Sequence, residues 1–283
     1  MCGIAGVLNL TDQPPVALET LRAMLGMLRH RGPDEFGLYR DGQVGLGSAR
    51  LSIIDLSGGR QPIGNEDGTL WIVYNGEVFN YVELRPALEG RGHRLTTHTD
   101  TEVILHLYEE EGPACLGRLN GQFAIAIWDA RRRALFLARD RLGIRPLSYT
   151  VQGGRLIFGS EIKALLACPG VPAEIDPAAL EEVLTFWSTL SPRTAFRDIV
   201  DVPPGHYLEA RGGEIRLHPY WAPGFAEGPA RSEAALLEEL EALLVDATRI
   251  RLRADVPVGA YLSGGLGFEV VCLGKGKNNP LNP

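Results

Sequence analysis

The chain opens MCGIAGVLNL, residues 1–10. Cys2 follows the initiator methionine directly, at an end where chains usually fray. A chance cysteine is the plain reading of that placement. The alternative is chemical: loss of Met1 would leave one residue carrying both a thiol and a free α-amine. Their ordinary pKa values, about 8.5 and about 7.7–8.0, are close enough for easy proton transfer near neutral pH. An N-terminal amine can then serve as the base for its own side chain. No well-placed catalytic histidine is evident, and this arrangement needs none. Gly3 would allow a close approach of backbone or ligand, and GIAGVLNL is apolar and strand-like.

The rest of the composition sets bounds. A chain of 283 residues suffices for roughly two domains. Apolar residues make up 45% and charged residues 22%, the balance of a globular chain with a substantial core. The formal net charge of −7 argues against nucleic acid as a partner. The basic run Arg131-Arg132-Arg133 lies between FAIAIWDA and ALFLARD and reads as an exposed hairpin turn. No stretch of 18 apolar residues suggests a membrane span, and the N-terminus lacks the features of a signal peptide. Cys2, Cys115, Cys168 and Cys272 show no C-x-x-C spacing, so neither disulfides nor a metal site is expected. A cytoplasmic location follows as the expectation.

Secondary structure is legible in several places. Leu18, Leu21, Leu25 and Leu28 recur at helical spacing before the stop signals Gly32 and Pro33. GQVGLGSARLSIID and GTLWIVYNGEVFNY read as strands, and TDTEVILHLYEEEG reads as a helix opened by a capping box from Thr99 to Glu102. GRLIFGSEIKALLACPG reads as a strand and then a helix. The pattern is antiparallel and hairpin-rich to about residue 210. Gly and Pro then mark a linker over 211–231. A long amphipathic helix follows in SEAALLEELEALLVDATRIRLRAD, then a short strand, VPVGAYL, and the turn SGG.

Four further positions have two readings each. Asn75-Gly76 between apolar runs is on local grounds a hairpin turn. The other reading is an oxyanion hole built from the Asn75 amide and the Gly76 N–H. Arg50, with Ser48 and Ser52 beside it, is either a solvated strand residue or a carboxylate clamp. Asp100 is either a first-turn anion favoured by the helix dipole or the counter-ion of an ammonium. His30 and Arg31 suit a helix C-terminus. Singly, each structural reading suffices. Together the residues describe a nucleophile, two oxyanion donors and anchors for a carboxylate and an ammonium, which suits an amino acid with a reactive side-chain carbonyl.

In order along the chain stand MCGIAGV, HRGPDE, ARLSIIDL, QPIGNEDG, VYNGEVFNY, THTDTEVI, LNGQFAIAIWD, ARDRLGIRPL, FGSEIKALL, VPPGHY and VGAYLSGGL. In these the sequence resembles the glutamine-hydrolysing asparagine synthetases, whose N-terminal half is a class II, N-terminal-nucleophile glutamine amidotransferase. The resemblance implies an α+β fold, a four-layer αββα sandwich over residues 2–210. It implies Cys2 as nucleophile on glutamine and Asn75 and Gly76 as the oxyanion hole. Arg50 and Asp100 would hold the glutamine α-carboxylate and α-ammonium, with Leu51, Ile53, Ile54 and Glu77 lining the pocket. The glutaminase step would need no cofactor. In such proteins the ammonia passes to aspartate activated by ATP and Mg2+ in a second, α/β PP-loop domain.

That second domain is expected to start over 232–266. Leu262, Ser263, Gly264 and Gly265 could present backbone N–H groups to phosphate. The family loop wants Asp and Ser where this chain has Gly267 and Phe268. Residues 267–283 leave the family pattern and read as a frameshifted or disordered tail, so the synthetase activity is placed in doubt. Other class II amidotransferases, relatives making another amide or a β-lactam, and a non-catalytic truncation product stay open as alternatives. A homodimer also stays open.

Overall fold

The computed structural model describes residues 1–226, 228 and 230–259. The chain divides into a unit from Met1 to Ala222 and another from Pro223 onward. Two six-stranded antiparallel sheets form the frame of the first unit. The first sheet contains β1 (Gly3–Asn9), β2 (Glu35–Arg40), β3 (Val44–Arg50), β8 (Ser148–Gln152), β9 (Arg155–Gly159) and β10 (Val200–Asp201), in the order β10-β8-β9-β1-β3-β2. The second contains β4 (Ile63–Gly64), β5 (Leu70–Val78), β6 (Gly121–Asp129), β7 (Ala134–Arg139), β11 (His206–Arg211) and β12 (Glu214–Pro219), in the order β12-β11-β7-β6-β5-β4.

The helices of this unit are α1 (Leu18–Gly26), α2 (Tyr81–Gly90), α3 (Asp100–Glu111), α4 (Ile162–Leu166) and α5 (Pro177–Phe186). Period-two side-chain alternation explains how the central strands serve two cores at once. Phe123, Ile125 and Ile127 of β6 join α2 and α3 in one cluster. Ala124, Ala126 and Trp128 face a second cluster shared with β1, β3 and β9 of the other sheet. In β1, Ile4 and Leu8 enter that shared cluster, while Ala5 and Val7 pack with α1 and α4. Such strands are apolar on both faces, which is why FAIAIWDA reads as an unbroken run. Each fully buried Leu, Ile or Phe contributes about 1.5–3 kcal/mol.

Three sequence expectations change. The stretch 211–231 does not begin as a linker: β12 pairs with β11 from His206↔Pro219 to Arg211↔Glu214. Gly212 and Gly213, with φ of 58° and 84°, form the two-residue turn between them, where positive φ is required. Asn75-Gly76 is not a turn, because β5 runs straight through it and pairs with β6 at Asn75↔Ala124 and Gly76↔Phe123. The capping box is half made. Thr99 Oγ1 accepts the Glu102 N–H at 3.3 Å, but the Glu102 carboxylate turns back to the N–H and hydroxyl groups of Thr96 and Thr97. The arginine run does sit in the turn between β6 and β7.

The unit from Pro223 onward holds α6 (Glu233–Ile250), capped where Ser232 Oγ accepts the Ala235 N–H. Leu236, Leu237, Leu240 and Leu243 remain exposed. Val256–Gly259 carries no strand. The expected phosphate loop, Leu262, Ser263, Gly264 and Gly265, lies outside the described residues, as do the rest of the expected strand and the tail 267–283. No helix among the described residues is long and apolar enough to cross a membrane.

Candidate active site

The antiparallel register Gly3↔Ala49 sets Cys2 beside the end of β3, so that Arg50 and Leu51 adjoin it. The Cys2 thiol accepts the Leu51 N–H at 3.3 Å and donates to the Leu51 carbonyl at 3.5 Å. Arg31 Nε donates to the Cys2 carbonyl at 2.9 Å, and Arg31 Nη1 is paired with Glu161 at 2.9 Å. His30 Nε2 also reaches Glu161, at 2.9 Å. Because α1 ends at Gly26, His30 and Arg31 lie beyond the helix rather than in its last turn, and Arg31, held by Glu161, braces the backbone of Cys2.

The second sheet supplies the facing wall. Cys2, Arg50, Leu51, Ile53, Ile54, Asn75, Gly76, Glu77 and Asp100 all line one cleft. Every residue expected for the glutamine site is therefore brought together. Gln61, Tyr74, Thr99, Thr101 and Arg145 share the lining and were not singled out from sequence. All five lie in the quoted motifs: Gln61 in QPIGNEDG, Tyr74 in VYNGEVFNY, Thr99 and Thr101 in THTDTEVI, and Arg145 in ARDRLGIRPL.

Asn75 is buried, and neither its Nδ2 nor its Oδ1 has a hydrogen-bond partner. Leaving a buried amide unpaired costs about 1–3 kcal/mol. Gly76 is dictated by the neighbouring strand: a Cβ there would lie 2.2 Å from the Gln122 carbonyl oxygen. Arg50 is buried rather than solvated. Its Nη1 donates to Glu35 at 2.9 Å and its Nη2 to the carbonyls of Ile54 and Asp55 at 2.9 and 2.7 Å. A two-point clasp of a carboxylate through Nη2 would require one of those bonds to yield.

Asp100 is likewise buried, not a surface anion. Burial pushes its pKa up to about 6, despite bonds to Oδ2 from the Val78 N–H at 2.9 Å and the Tyr74 hydroxyl at 2.8 Å. The Cys2 thiol is also raised, mainly by burial, against the Leu51 N–H bond and the nearby α-amine. Met1 contributes to that environment. It lines the cleft, its Sδ contacts the Arg145 guanidinium, and burial lowers the pKa of its α-amine.

A family model described as a glutamine amidotransferase domain matches residues 1–221. The chain belongs to the glutamine amidotransferase family. Residues 239–267 of this amidotransferase match a second model, asparagine synthase. The chain is 39% identical over 274 residues to asparagine synthetase [glutamine-hydrolyzing] 3 of Bacillus subtilis, covering 96% of this chain and 44% of that protein. It is 38% identical over 282 residues to the amidase chry2 of Gibberella zeae, covering 94% and 41%. It thus spans less than half the length of these relatives. Among solved structures, the glutamine phosphoribosylpyrophosphate amidotransferase of B. subtilis superposes with a TM-score of 0.58 at 20% identity, over 78% of this chain and 49% of that one. At that identity the likeness is one of fold.

Proposed function

We propose that the amidotransferase unit hydrolyses glutamine through Cys2, once Met1 has been removed. The Cys2 α-amine takes the thiol proton, and Sγ attacks the side-chain amide carbon. The Asn75 amide and the Gly76 N–H hold the oxygen as it becomes negative. The protonated amine gives its proton to the leaving nitrogen, and ammonia departs from a thioester. Water, activated by the same amine, attacks the thioester carbon and glutamate leaves. Arg50 and Asp100 hold the α-carboxylate and α-ammonium, which do not react. Leu51, Ile53, Ile54 and Glu77 line the cleft.

The observation that carries this reading is the unpartnered, buried Asn75 amide in the same cleft as the Cys2 thiol. With Met1 in place the α-nitrogen of Cys2 is locked in a peptide bond and the thiol pKa is raised, which fits a nucleophile that becomes active only after processing. The three hydrophobic clusters support an αββα order of layers, as expected of an N-terminal-nucleophile hydrolase.

For the longer protein we propose delivery of ammonia to aspartate activated by ATP with Mg2+, in a PP-loop domain beginning after residue 231. Leu262, Ser263, Gly264 and Gly265 would contribute to its phosphate loop. Both asparagine synthetases and amidases match this chain at about the same identity, so another acceptor is the second reading. Incubating these 283 residues with glutamine should yield equal glutamate and ammonia, independent of aspartate and Mg-ATP. Cys2→Ala should yield neither. Glutamate release that survives Cys2→Ala would refute the assignment.

A further inference from the structure

Away from Cys2, four side chains from three parts of the unit converge on one point. Glu66 comes from the segment between β4 and β5, His93 from the segment after α2, and His106 and Glu109 from α3. One ligand atom from each lies within 4.8 Å of the other three. Both imidazoles turn Nδ1 inward. His93 Nδ1 stands 3.3 Å from Glu66 Oε1 and 3.9 Å from Glu109 Oε2. His106 Nδ1 stands 3.5 Å from Glu66 Oε2 and 3.3 Å from Glu109 Oε2.

The outward atoms are engaged differently. His93 Nε2 meets Glu110 Oε1 at 3.0 Å, and His106 Nε2 faces Glu102 Oε1 at 3.9 Å. Asn65 Nδ2 donates to Glu109 Oε1 at 2.9 Å, and the Arg94 N–H donates to Glu66 Oε1 at 2.9 Å. His93 thus shows one nitrogen to the centre and the other to a carboxylate, the arrangement that fixes tautomer and basicity in metal-bound histidines, while His106 Nε2 is buried without a hydrogen-bond partner.

Two of the inward contacts are themselves hydrogen bonds, His93 Nδ1 with Glu66 and His106 Nδ1 with Glu109, each long at 3.3 Å. Charge-assisted N–H···O bonds run at about 2.7–2.9 Å, shorter than any inward contact here. Ligand atoms around a tetrahedral Zn2+, with bonds of about 2.0–2.1 Å, lie about 3.3–3.4 Å apart. Around an octahedral ion with similar bonds they lie about 2.9–3.0 Å apart. The two 3.3 Å contacts, His93 Nδ1 to Glu66 Oε1 and His106 Nδ1 to Glu109 Oε2, match a tetrahedral edge, and the wider spacings, up to 4.8 Å, would have to close around the ion. Two carboxylates would neutralise a divalent charge.

We infer that Glu66, His93, His106 and Glu109 form a structural site for a divalent transition metal of the Zn2+ type. It would tie the segments holding Glu66 and His93 to α3, the helix whose first residue is Asp100. The cysteine spacing gave no hint of it, because its ligands are imidazoles and carboxylates scattered over three segments with no local motif.

The test uses the full chain, stripped with a chelator and then titrated with Zn2+ alone. One equivalent should be retained through gel filtration, with a rise in Tm of about 5 °C or more. Co2+ alone should give the intense visible absorption of tetrahedral coordination. His93→Gln and Glu109→Gln should each weaken retention at least about tenfold and abolish the rise, with the metal-free Tm unchanged. Failure to retain Zn2+, a pale octahedral Co2+ spectrum, or equal retention by both variants, as binding at the Cys2 thiol would give, would overturn the site.

Discussion

Two carboxylates, Asp100 in the lining of the cleft and Glu161 behind Cys2 through Arg31, are held in opposite electrostatic states. Glu161, just ahead of α4, is partly buried, but bonds from Arg31, Lys163 and His30 outweigh that cost and hold its pKa down to about 2. Asp100, at the start of α3, is more deeply buried and sits near 6, with the Tyr74 and Val78 bonds to its side chain coming from neutral donors. A carboxylate matched by the chain's own cations is scaffold: here it fixes Arg31, and through Arg31 the carbonyl of Cys2. A carboxylate buried with neutral donors alone lacks a cation, and the α-ammonium of an amino acid would supply one. Asn75 belongs with Asp100, since its amide is buried and unmatched within the protein.

The contrast is sharpened first at Asn75. Asn75→Ala should lower kcat for glutamine hydrolysis by roughly 10²–10³, the usual effect of losing an oxyanion donor. Its Tm should hold or rise, because an unpaired buried amide has gone. A fall in Tm with kcat intact would move Asn75 into the scaffold class.

Asp100→Asn should act on binding instead. The Tyr74 and Val78 bonds to Asp100 end on one oxygen, Oδ2, so the asparagine oxygen can keep them. The lost charge should raise KM by about 10- to 10²-fold, from the roughly 1.5–3 kcal/mol of a charged hydrogen bond, with a smaller change in kcat. An unchanged KM would show that Asp100 meets no ammonium.

Glu161→Gln should show the reverse pattern: a stability loss of about 2 kcal/mol at neutral pH and only a minor effect on KM. The acid profiles of the two sites differ in sign. The folded pKa of Glu161 lies below its ordinary 4.5, so its contribution is present above about pH 4.5 and is lost as pH falls toward 2. The folded pKa of Asp100 lies above its ordinary 3.8, so its charge costs stability in full above about pH 6, and that cost shrinks as pH falls from about 6 to about 4 and is gone below that. Denaturant titrations at a series of pH values should place the Glu161→Gln difference in the lower window. They should place the Asp100→Asn difference in the upper one.

How much of this was legible in sequence follows from the range of the forces involved. The nucleophile, Arg50, Asn75, Gly76 and Asp100 could be singled out as residue types, and the family resemblance joined them into one site. Their burial could not be read, because it depends on two sheets meeting. Asn75-Gly76 looks like a turn locally, and only the β6 backbone, 2.2 Å from a Gly76 Cβ, shows why glycine stands within a strand. Gly212-Gly213 looked like the start of a linker until the pairing of β11 with β12 made it a hairpin. Pro86 concealed α2, whose interior it occupies. Arg31 carried a signal in HRGPDE, but its bond to the Cys2 carbonyl spans 29 residues, beyond any local pattern.

The central claim is that Cys2, freed of Met1, is the nucleophile of this cleft. The most direct measurement is intact-mass analysis of the chain before and after treatment with an electrophilic glutamine analogue, followed by mapping of the adduct. The chain should lack one methionine and be labelled once, on Cys2, with glutamine protecting it. Cys115 and Cys168, both buried, should stay unmodified. Stoichiometric labelling elsewhere, or full labelling and turnover in a chain that keeps Met1, would contradict it.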